Sequence, residues 1–409
     1  MDTLTRRRFL LASGVAGAGA LAVGASAMSP SELLRHASSN PLPTDANVLV
    51  LVTLYGGNDG LNTVVPYADP AYQDARPDLA YDHSEVLTLS DGLGLNPALK
   101  GMASLWKDKQ LAIVRGAGYP KPDFSHFRSM DIWQTASPST PVPSGWIGRW
   151  LDATGDDPVR ALNIGSVLAP AAVGTKCTAA ALDASGRGQL APALGSAVSG
   201  LGKAARGGTS SEAAVRTSYR NERTVTKTFA PVLGKTTGQG ARTGGHSGQS
   251  SNALAHQLDF VGRCVKAKVP TRVYLVSLGG FDTHANEKAT QQQLLSTLDE
   301  GIAGFLKDMA GDEHGRKVVV MAYSEFGRRV AANASDGTDH GTAGPMFVAG
   351  APVRGGFYGE QPSLKDLDDG NLKSTVDFRA VYGELLHAVL GADPARVLDT
   401  VPKELGFLA

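Results

Sequence analysis

Three short apolar segments, each followed at once by a glycine-rich loop with acidic residues, constrain the fold of this chain most. They are Asn47–Leu54, Arg272–Leu278 and Val318–Ala322. Short runs rich in β-branched residues predict buried strands of a mostly parallel sheet. Ligands of open α/β sheets bind outside the carboxyl ends of the strands. The sequence therefore predicts a functional site at that edge.

The loops after these segments supply the candidate ligands. Their sequences are Gly56-Gly57-Asn58-Asp59-Gly60, Gly280-Phe281-Asp282-Thr283-His284, Ser324-Glu325-Phe326-Gly327-Arg328 and Gly337-Thr338-Asp339-His340-Gly341. The simpler alternative is that Asp and Asn favour turns after strands. Repetition at three strand ends, with glycines beside the acids, favours convergence. The residues expected to converge on a metal are Asp59, Asp282, His284, Glu325, Asp339 and His340.

Length and composition allow a large α/β unit. The 409 residues fit either one such unit or two to three domains. Hydrophobic residues make up 42% and charged residues 19%, which favours a packed core. The net charge of zero gives no sign of nucleic-acid binding. Helical periodicity in Gln291–Met309 and Asp377–Leu390 adds the strand–helix alternation that predicts helices on both faces of the sheet.

Residues 1–27 are predicted to be a targeting segment. Thr5-Arg6-Arg7-Arg8-Phe9-Leu10 is a twin-arginine pattern, and Ala25-Ser26-Ala27 offers small residues for cleavage. Serines and glycines interrupt the apolar stretch between them, so a stable membrane span is not expected. The interpretation is an exported protein, periplasmic, extracellular or on the cell-wall side, whose partner during export is the twin-arginine translocase.

Within residues 28–409, the segment 183–251 has a different composition. It is rich in Gly, Ser, Thr and Ala, which predicts a cap or insertion in an α/β domain and not a catalytic domain of its own. Two cysteines, Cys177 and Cys264, leave two alternatives open. They could form one disulfide in an oxidising compartment, or Cys264 could simply pack on the apolar face of a helix.

The loop motifs, together with Ser125-His126-Phe127, Gly145-Trp146 and Asp377-Phe378-Arg379, resemble those of a bacterial exported family, domain of unknown function 1501. That family is in turn similar to the alkaline-phosphatase-like superfamily of phosphatases, sulfatases, phosphodiesterases and cofactor-independent phosphoglycerate mutases. The resemblance implies a three-layer α/β/α sandwich with a mostly parallel central sheet and a cap. It also implies one or two divalent metals (zinc, manganese, magnesium or calcium) and a Ser or Thr nucleophile.

Carried over residue by residue, the resemblance implies a ligand set. Asp59 takes the place of the first-strand metal carboxylate, and Asp282 and His284 lie in the loop that supplies the second metal. His340 matches a late His ligand of that metal. Glu325 stands where the superfamily has Asp followed by His, and Phe326 replaces that His.

The resemblance also implies a catalytic set. Ser125 would be the nucleophile, and Arg328 or Arg128 could hold the charge that develops on a phosphoryl or sulfuryl group. His126 could turn inward beside Ser125 or only pack. For either arginine the alternative is an ion pair without a catalytic role, and for Ser125 it is a helix cap.

Two functions remain open at this point. The first is an exported, metal-dependent hydrolase or transferase acting on a phosphoester or sulfoester, either a small molecule or a polymer. The second is a non-catalytic exported binding protein with a degenerate site, which Phe326 favours. Cys/Ser-x-Pro-x-Arg, His-Glu-x-x-His and Gly-x-Ser-x-Gly motifs are missing from the sequence, which argues against formylglycine sulfatases, zinc proteases and α/β-hydrolases.

Overall fold

A computed structural model describes residues 41–155, 157–165, 168–182 and 253–408. The predicted signal segment 1–27 and the predicted insertion 183–251 lie outside these ranges. No helix within them has both the length and the apolar character that a membrane crossing requires.

The three predicted strands and both predicted helices are present, together with further strands and helices. The strands are β1 (Val48–Tyr55), β2 (Val64–Val65), β3 (Leu87–Thr88), β4 (Gly94–Leu95), β5 (Leu111–Gly118), β6 (Ala161–Ile164), β7 (Ala180–Leu182), β8 (Val273–Gly279), β9 (Val318–Ser324), β10 (Gly344–Ala349), β11 (Gly356–Tyr358), β12 (Leu367–Asp368), β13 (Asn371–Leu372) and β14 (Val376–Asp377). The helices are α1 (Gly60–Thr63), α2 (Pro70–Ala75), α3 (Lys100–Lys107), α4 (His126–Thr135), α5 (Trp146–Thr154), α6 (Ala253–Lys266), α7 (Glu287–Met309) and α8 (Arg379–Glu384), which continues as a π-helix (Leu385–Val389).

The chain divides into two compact units. Of the described residues, the larger unit comprises 45–142, 253–262 and 276–408, and the smaller comprises 41–44, those between 143 and 182, and 263–275. In the smaller unit, β6 pairs in parallel with β7 and with the first residues of β8. Every residue discussed below as part of the candidate site belongs to the larger unit.

The larger unit is built on strands in the order β11-β5-β10-β9-β1. β1 and β9 are parallel, from Val48 opposite Val318 to Leu54 opposite Ser324. β11 and β14 also run parallel to β5, whereas β10 is antiparallel to both of its neighbours. The predicted α/β class with a mostly parallel central sheet is thus confirmed.

Packing on this sheet follows from the sequence. All of β1 up to Leu54 is buried, as expected of a strand covered on both faces. Helix α7 holds the start of α3, because the Asp299 carboxylate accepts hydrogen bonds from the amides of Gly101 (2.8 Å) and Met102 (2.7 Å). A carboxylate is favourable there because it meets unpaired amides at the positive end of the helix dipole.

Element boundaries differ from the sequence pattern in two places. The helix predicted from Gln291 begins four residues earlier, at Glu287, and the helix predicted over Asp377–Leu390 starts at Arg379 and ends in the π-turn. Of the two alternatives for the cysteines, the structure has the unbonded one. Cys177 and Cys264 are both buried and form no disulfide.

Candidate functional site

The loops after β1, β8 and β9 meet through their backbones. The Phe281 amide donates to the Tyr55 carbonyl (3.1 Å), and the Gly56 amide donates to Glu325 Oε1 (2.8 Å). Gly56 has φ +118°, and a Cβ there would lie 2.4 Å from the Asp282 amide nitrogen, so only glycine permits this approach. The three strand ends therefore converge as the sequence predicts.

Arg328 ties these loops together from inside the protein. Its side chain is fully buried, and it donates to Asp282 Oδ1 (2.9 Å). It also donates to four backbone carbonyls, those of Gly56, Gly57, Phe281 and Thr338. A guanidinium held in this way does not reach a substrate directly. Its effect on chemistry passes through the position and charge of Asp282.

Asp282 is the centre of a cluster of three imidazoles. Its Oδ1 lies 3.0 Å from His284 Nε2 and 3.1 Å from His340 Nε2, and its Oδ2 lies 3.4 Å from His126 Nε2. His284 Nε2 and His340 Nε2 are 3.0 Å apart. One ligand atom each from His126, Asp282 and His340 fall within 4.8 Å of one another, which makes this trio a possible metal site.

The opposite nitrogens of the imidazoles face oxygen atoms. His126 Nδ1 is 2.9 Å from Glu325 Oε1, and His340 Nδ1 donates to the Phe124 carbonyl at 2.8 Å. His284 Nδ1 is 3.4 Å from a carboxylate oxygen of Asp339. Metal-binding histidines hold the second nitrogen in this way, which sets the tautomer and leaves Nε2 to the metal. Glu325 and Asp339 therefore orient imidazoles here and are not themselves in the trio.

The charge of the cluster follows from its hydrogen bonds. Burial opposes ionisation of Asp282, but bonds from Arg328 and His340 outweigh it and lower the pKa of Asp282 to about 2. The hydrogen bond to Glu325 raises the pKa of His126 against the opposing effect of burial. The site thus combines a carboxylate that stays ionised with an imidazole whose protonated form is stabilised by Glu325.

One atom of the cluster indicates that a cation fits here. His126 Nε2 is buried and has no hydrogen-bond partner among the described residues, although it faces Asp282. Buried polar atoms are rarely left unpaired. Imidazole nitrogens with one carboxylate suit zinc or manganese better than magnesium or calcium, which take oxygen ligands.

Asp59 does not join this cluster, contrary to the prediction from the sequence. It is 1% exposed, its Oδ2 forms an ion pair with Arg76, and its Oδ1 accepts from the Leu61 amide (3.2 Å) at the start of α1. Burial alone would raise the pKa of Asp59, but the charge of Arg76 lowers it. The correction has a simple physical reason, since both oxygens of this carboxylate are already bound within the protein.

Glu287 completes the buried network around Asp59. Its Oε2 accepts from the Thr338 hydroxyl (2.5 Å), two residues before His340. Burial and the neighbouring charge of Asp59 raise the pKa of Glu287 to about 9. Glu287 Oε1 finds no donor among the described residues, which fits a protonated carboxyl that donates to Asp59. Arg76 lies outside the loop motifs, so the sequence pattern did not indicate it.

Ser125 directly precedes α4. It lies between Phe124, whose carbonyl contacts the cluster, and His126, which belongs to it. Phe124 accepts from His340, and His126 is the first residue of the helix. The Ser125 side chain is at the N-cap position but makes no capping hydrogen bond. Of the roles considered for this serine, the helix cap is therefore not realised.

Phe326 forms an apolar wall beside the imidazoles. Its buried ring lies 4.9 Å from the His126 ring and 4.7 Å from the His340 ring, measured between centroids. It fits against Gly57, where a Cβ would come within 2.3 Å of the phenyl ring. An aromatic residue thus packs at the position where the family resemblance implies a histidine.

Comparison with known proteins confirms the family resemblance over part of the chain. Residues 210–402 match the model of a family described as "Protein of unknown function (DUF1501)". This stretch contains Asp282, His284, Glu325, Asp339 and His340. A search of curated protein sequences finds no match.

Among solved structures, the chain is similar to a protein of the alkaline phosphatase superfamily from Vibrio parahaemolyticus. The two are 11% identical with a TM-score of 0.40, and the match covers 91% of this chain and 78% of that chain. It is also similar to a putative sulfatase from Bacteroides thetaiotaomicron, with 11% identity and a TM-score of 0.34. That match covers 90% of this chain and 73% of the sulfatase chain. A third similar structure is the alkaline phosphatase of the Antarctic bacterium TAB5, with 11% identity and a TM-score of 0.31. That match covers 76% of this chain and 92% of the phosphatase chain. At these identities the likeness concerns the fold alone.

Proposed function

We propose that this protein is a metal-dependent hydrolase or transferase that acts on a phosphoester or sulfoester. The observation that carries this proposal is the convergence of three imidazole Nε2 atoms on the carboxylate of Asp282. The two outer-sphere contacts to Glu325 and the Phe124 carbonyl support it, because they are the contacts that prepare histidines for a metal.

His126, Asp282 and His340 would hold the ion, with His284 as a fourth donor next to them. A zinc or manganese ion bound there would polarise an oxygen of the ester and lower the pKa of a nearby hydroxyl. The residues do the rest of the work: Glu325 orients His126, and Arg328 keeps Asp282 ionised.

Ser125 is the proposed nucleophile. Its hydroxyl is not used as a helix cap, and it lies one residue from the His126 imidazole. It also stands at the N-terminus of α4, a helix of 10 residues whose dipole favours an anionic phosphoryl or sulfuryl group. A serine hydroxyl is a weak nucleophile until a base or a metal lowers its pKa. The imidazole cluster next to Ser125, or a metal bound there, would supply this activation.

The decisive experiment combines metal analysis with a turnover screen. Purified protein is titrated with zinc and with manganese, and it is assayed against phosphomonoesters, phosphodiesters and sulfate esters. We expect stoichiometric metal in the wild type and loss of most metal in His126→Ala and His340→Ala. His387→Ala is the matched control, since His387 is a surface residue paired with Glu404. A wild type that binds neither ion overturns the proposal.

A second function is favoured by one observation. Phe326 replaces the superfamily histidine, and the cation of Arg328 already contacts Asp282, as in a site that has lost part of its metal set. Such a protein would bind a ligand without turnover. Metal binding together with inactivity towards all three ester classes would favour this role.

Export by the twin-arginine route is part of the same proposal and rests on the Arg6-Arg7 pair. Replacing both arginines with lysine should leave folded precursor in the cytoplasm. Continued export of this variant at wild-type level would contradict it.

A further inference from the structure

A cavity of about 210 Å³ adjoins the imidazole cluster. Phe326 belongs to both, because its ring lines the cavity and also lies against His126 and His340. Much of the remaining lining is apolar and comes from Pro120, Pro122, Ala343 and Leu372. Pockets for drug-sized ligands measure roughly 300–1,000 Å³, so this one has room for a single ring.

Trp133 lines this cavity and carries an indole N–H that no described residue accepts. The side chain lines the cavity, is 3% exposed, and packs against the rings of Phe378 (4.3 Å between centroids) and Tyr323 (5.5 Å). Its Nε1 is buried and has no hydrogen-bond partner within the described residues. An indole N–H can only donate, and leaving it unpaired in the interior is unfavourable. An oxygen acceptor on a bound molecule would satisfy it.

Two lysines and one aspartate also line the cavity. Lys373 is paired with Asp366, and Asp368 lies on the same hairpin. Lys121, by contrast, is exposed, and no carboxylate of the described residues lies within ion-pair distance of it. Its ammonium group therefore makes the cavity mouth attractive to an anion.

We propose that this cavity binds a six-membered ring that carries both an acceptor oxygen and an anionic group. The ring would lie against Phe326 and the two prolines, the acceptor would meet Trp133 Nε1, and the anion would meet Lys121. Because Phe326 also contacts the imidazole cluster, this ring is the non-reacting part of the ester substrate. That last assignment rests on the proposed function, whereas binding to the cavity does not.

The test observes the indole directly. The protein has four tryptophans, so indole ¹⁵N-labelled protein gives four indole N–H resonances. Trp133→Phe assigns the relevant one, and contacts of its proton to the Phe378 ring assign it if that variant does not fold. On titration with 4-hydroxybenzoate we expect a saturable shift of the Trp133 resonance. Acetate, which has the anion without the ring, should leave it in place.

A charge variant adds a second, independent result. Lys121→Ala should weaken 4-hydroxybenzoate binding by about two- to fivefold, as removal of an opposite charge at an exposed site does. Lys107→Ala, an exposed lysine at the end of α3, is the matched control. An unmoved Trp133 resonance, an equal response to acetate, or unchanged affinity in Lys121→Ala would each overturn the cavity proposal.

The link to the reaction has its own measurement. With any aryl ester carrying a ring carboxylate that the enzyme cleaves, Lys121→Ala should raise KM and leave kcat unchanged. KM for the methyl ester of the same acid should stay as in the wild type. Binding without turnover would reject the proposed function alone, and turnover without binding would reject the cavity alone.

Discussion

Two aspartates that follow similar sequence patterns have opposite environments in this molecule. Asp59 comes after β1 and Asp282 after β8, each in a glycine-rich loop. The Asp59 side chain is fully buried against Arg76, whereas the Asp282 side chain is 48% exposed among three imidazoles. A strand-end aspartate is thus enclosed or left accessible according to the partner that its loop meets.

The partner determines whether a carboxylate stays accessible, because a buried carboxylate needs partners for its charge and for both oxygens. Asp59 has these partners in Arg76 and the Leu61 amide, which occupy its two oxygens. The Asp282 side chain is 48% exposed, and its partners other than Arg328 are imidazoles, so a cation can reach its carboxylate. The buried network supports the cluster indirectly, since Glu287 holds Thr338 in the loop that carries His340.

The largest expected effect comes from breaking the buried pair. Asp59→Asn leaves the Arg76 cation buried without its counter-charge and should lower the free energy of unfolding by about 3–5 kcal/mol. The matched variant Asp282→Asn should lower it by less than that, since the Asp282 carboxylate is half exposed and the buried Arg328 keeps its four carbonyl acceptors. Urea unfolding midpoints measure both. Equal losses in the two variants would remove the distinction between the aspartates.

A smaller effect is expected from the carboxylate that orients His126. Glu325→Gln keeps the size of the side chain but weakens the acceptor for His126 Nδ1, and should reduce zinc affinity by roughly 10–100-fold. Competition with a chelating dye gives the affinity. Glu404→Gln is a close control, because Glu404 makes the same kind of contact to His387 on the surface (2.8 Å). Unchanged affinity in Glu325→Gln would argue that the cluster is not a metal site.

The buried network should also show in the pH dependence of stability. The folded-state pKa of Glu287 is raised to about 9, above its value of about 4.3 in an unfolded chain. Between these values the folded state keeps a proton that the unfolded state releases, so stability falls as pH rises, by up to about 1.4 kcal/mol per pH unit. Glu287→Gln should remove this slope between pH 5 and pH 8. Parallel curves for the two proteins would show that Glu287 is ionised in the fold.

The smallest effect on stability is expected at Ser125. Because its side chain makes no capping bond, Ser125→Ala should change the free energy of unfolding by less than about 0.5 kcal/mol. Turnover of any ester that the wild type cleaves should nevertheless be lost. A drop of about 1 kcal/mol with full turnover would identify the serine as a helix cap instead.

Much of the fold was accessible from local pattern. The β-branched runs that end at Leu54, Leu278 and Ala322 are strands in the structure, and the apolar period of Gln291–Met309 is a helix. Both patterns show which residues of a short segment are apolar and so tend to be buried, and this property belongs to each side chain itself. The antiparallel direction of β10 was not accessible, because Met346–Ala349 has the same buried composition in either direction.

The sequence by itself determined which strand ends carry acids and imidazoles, because strand and turn preferences act over a few residues. Only the tertiary structure decided their partners: Arg76 for Asp59, Asp282 for His126, and the loop carbonyls for Arg328. These pairs are separated along the chain by 17, 156 and up to 272 residues, respectively. No local preference links positions so far apart in sequence, so the difference between an enclosed and an accessible carboxylate arises only when the loops come together.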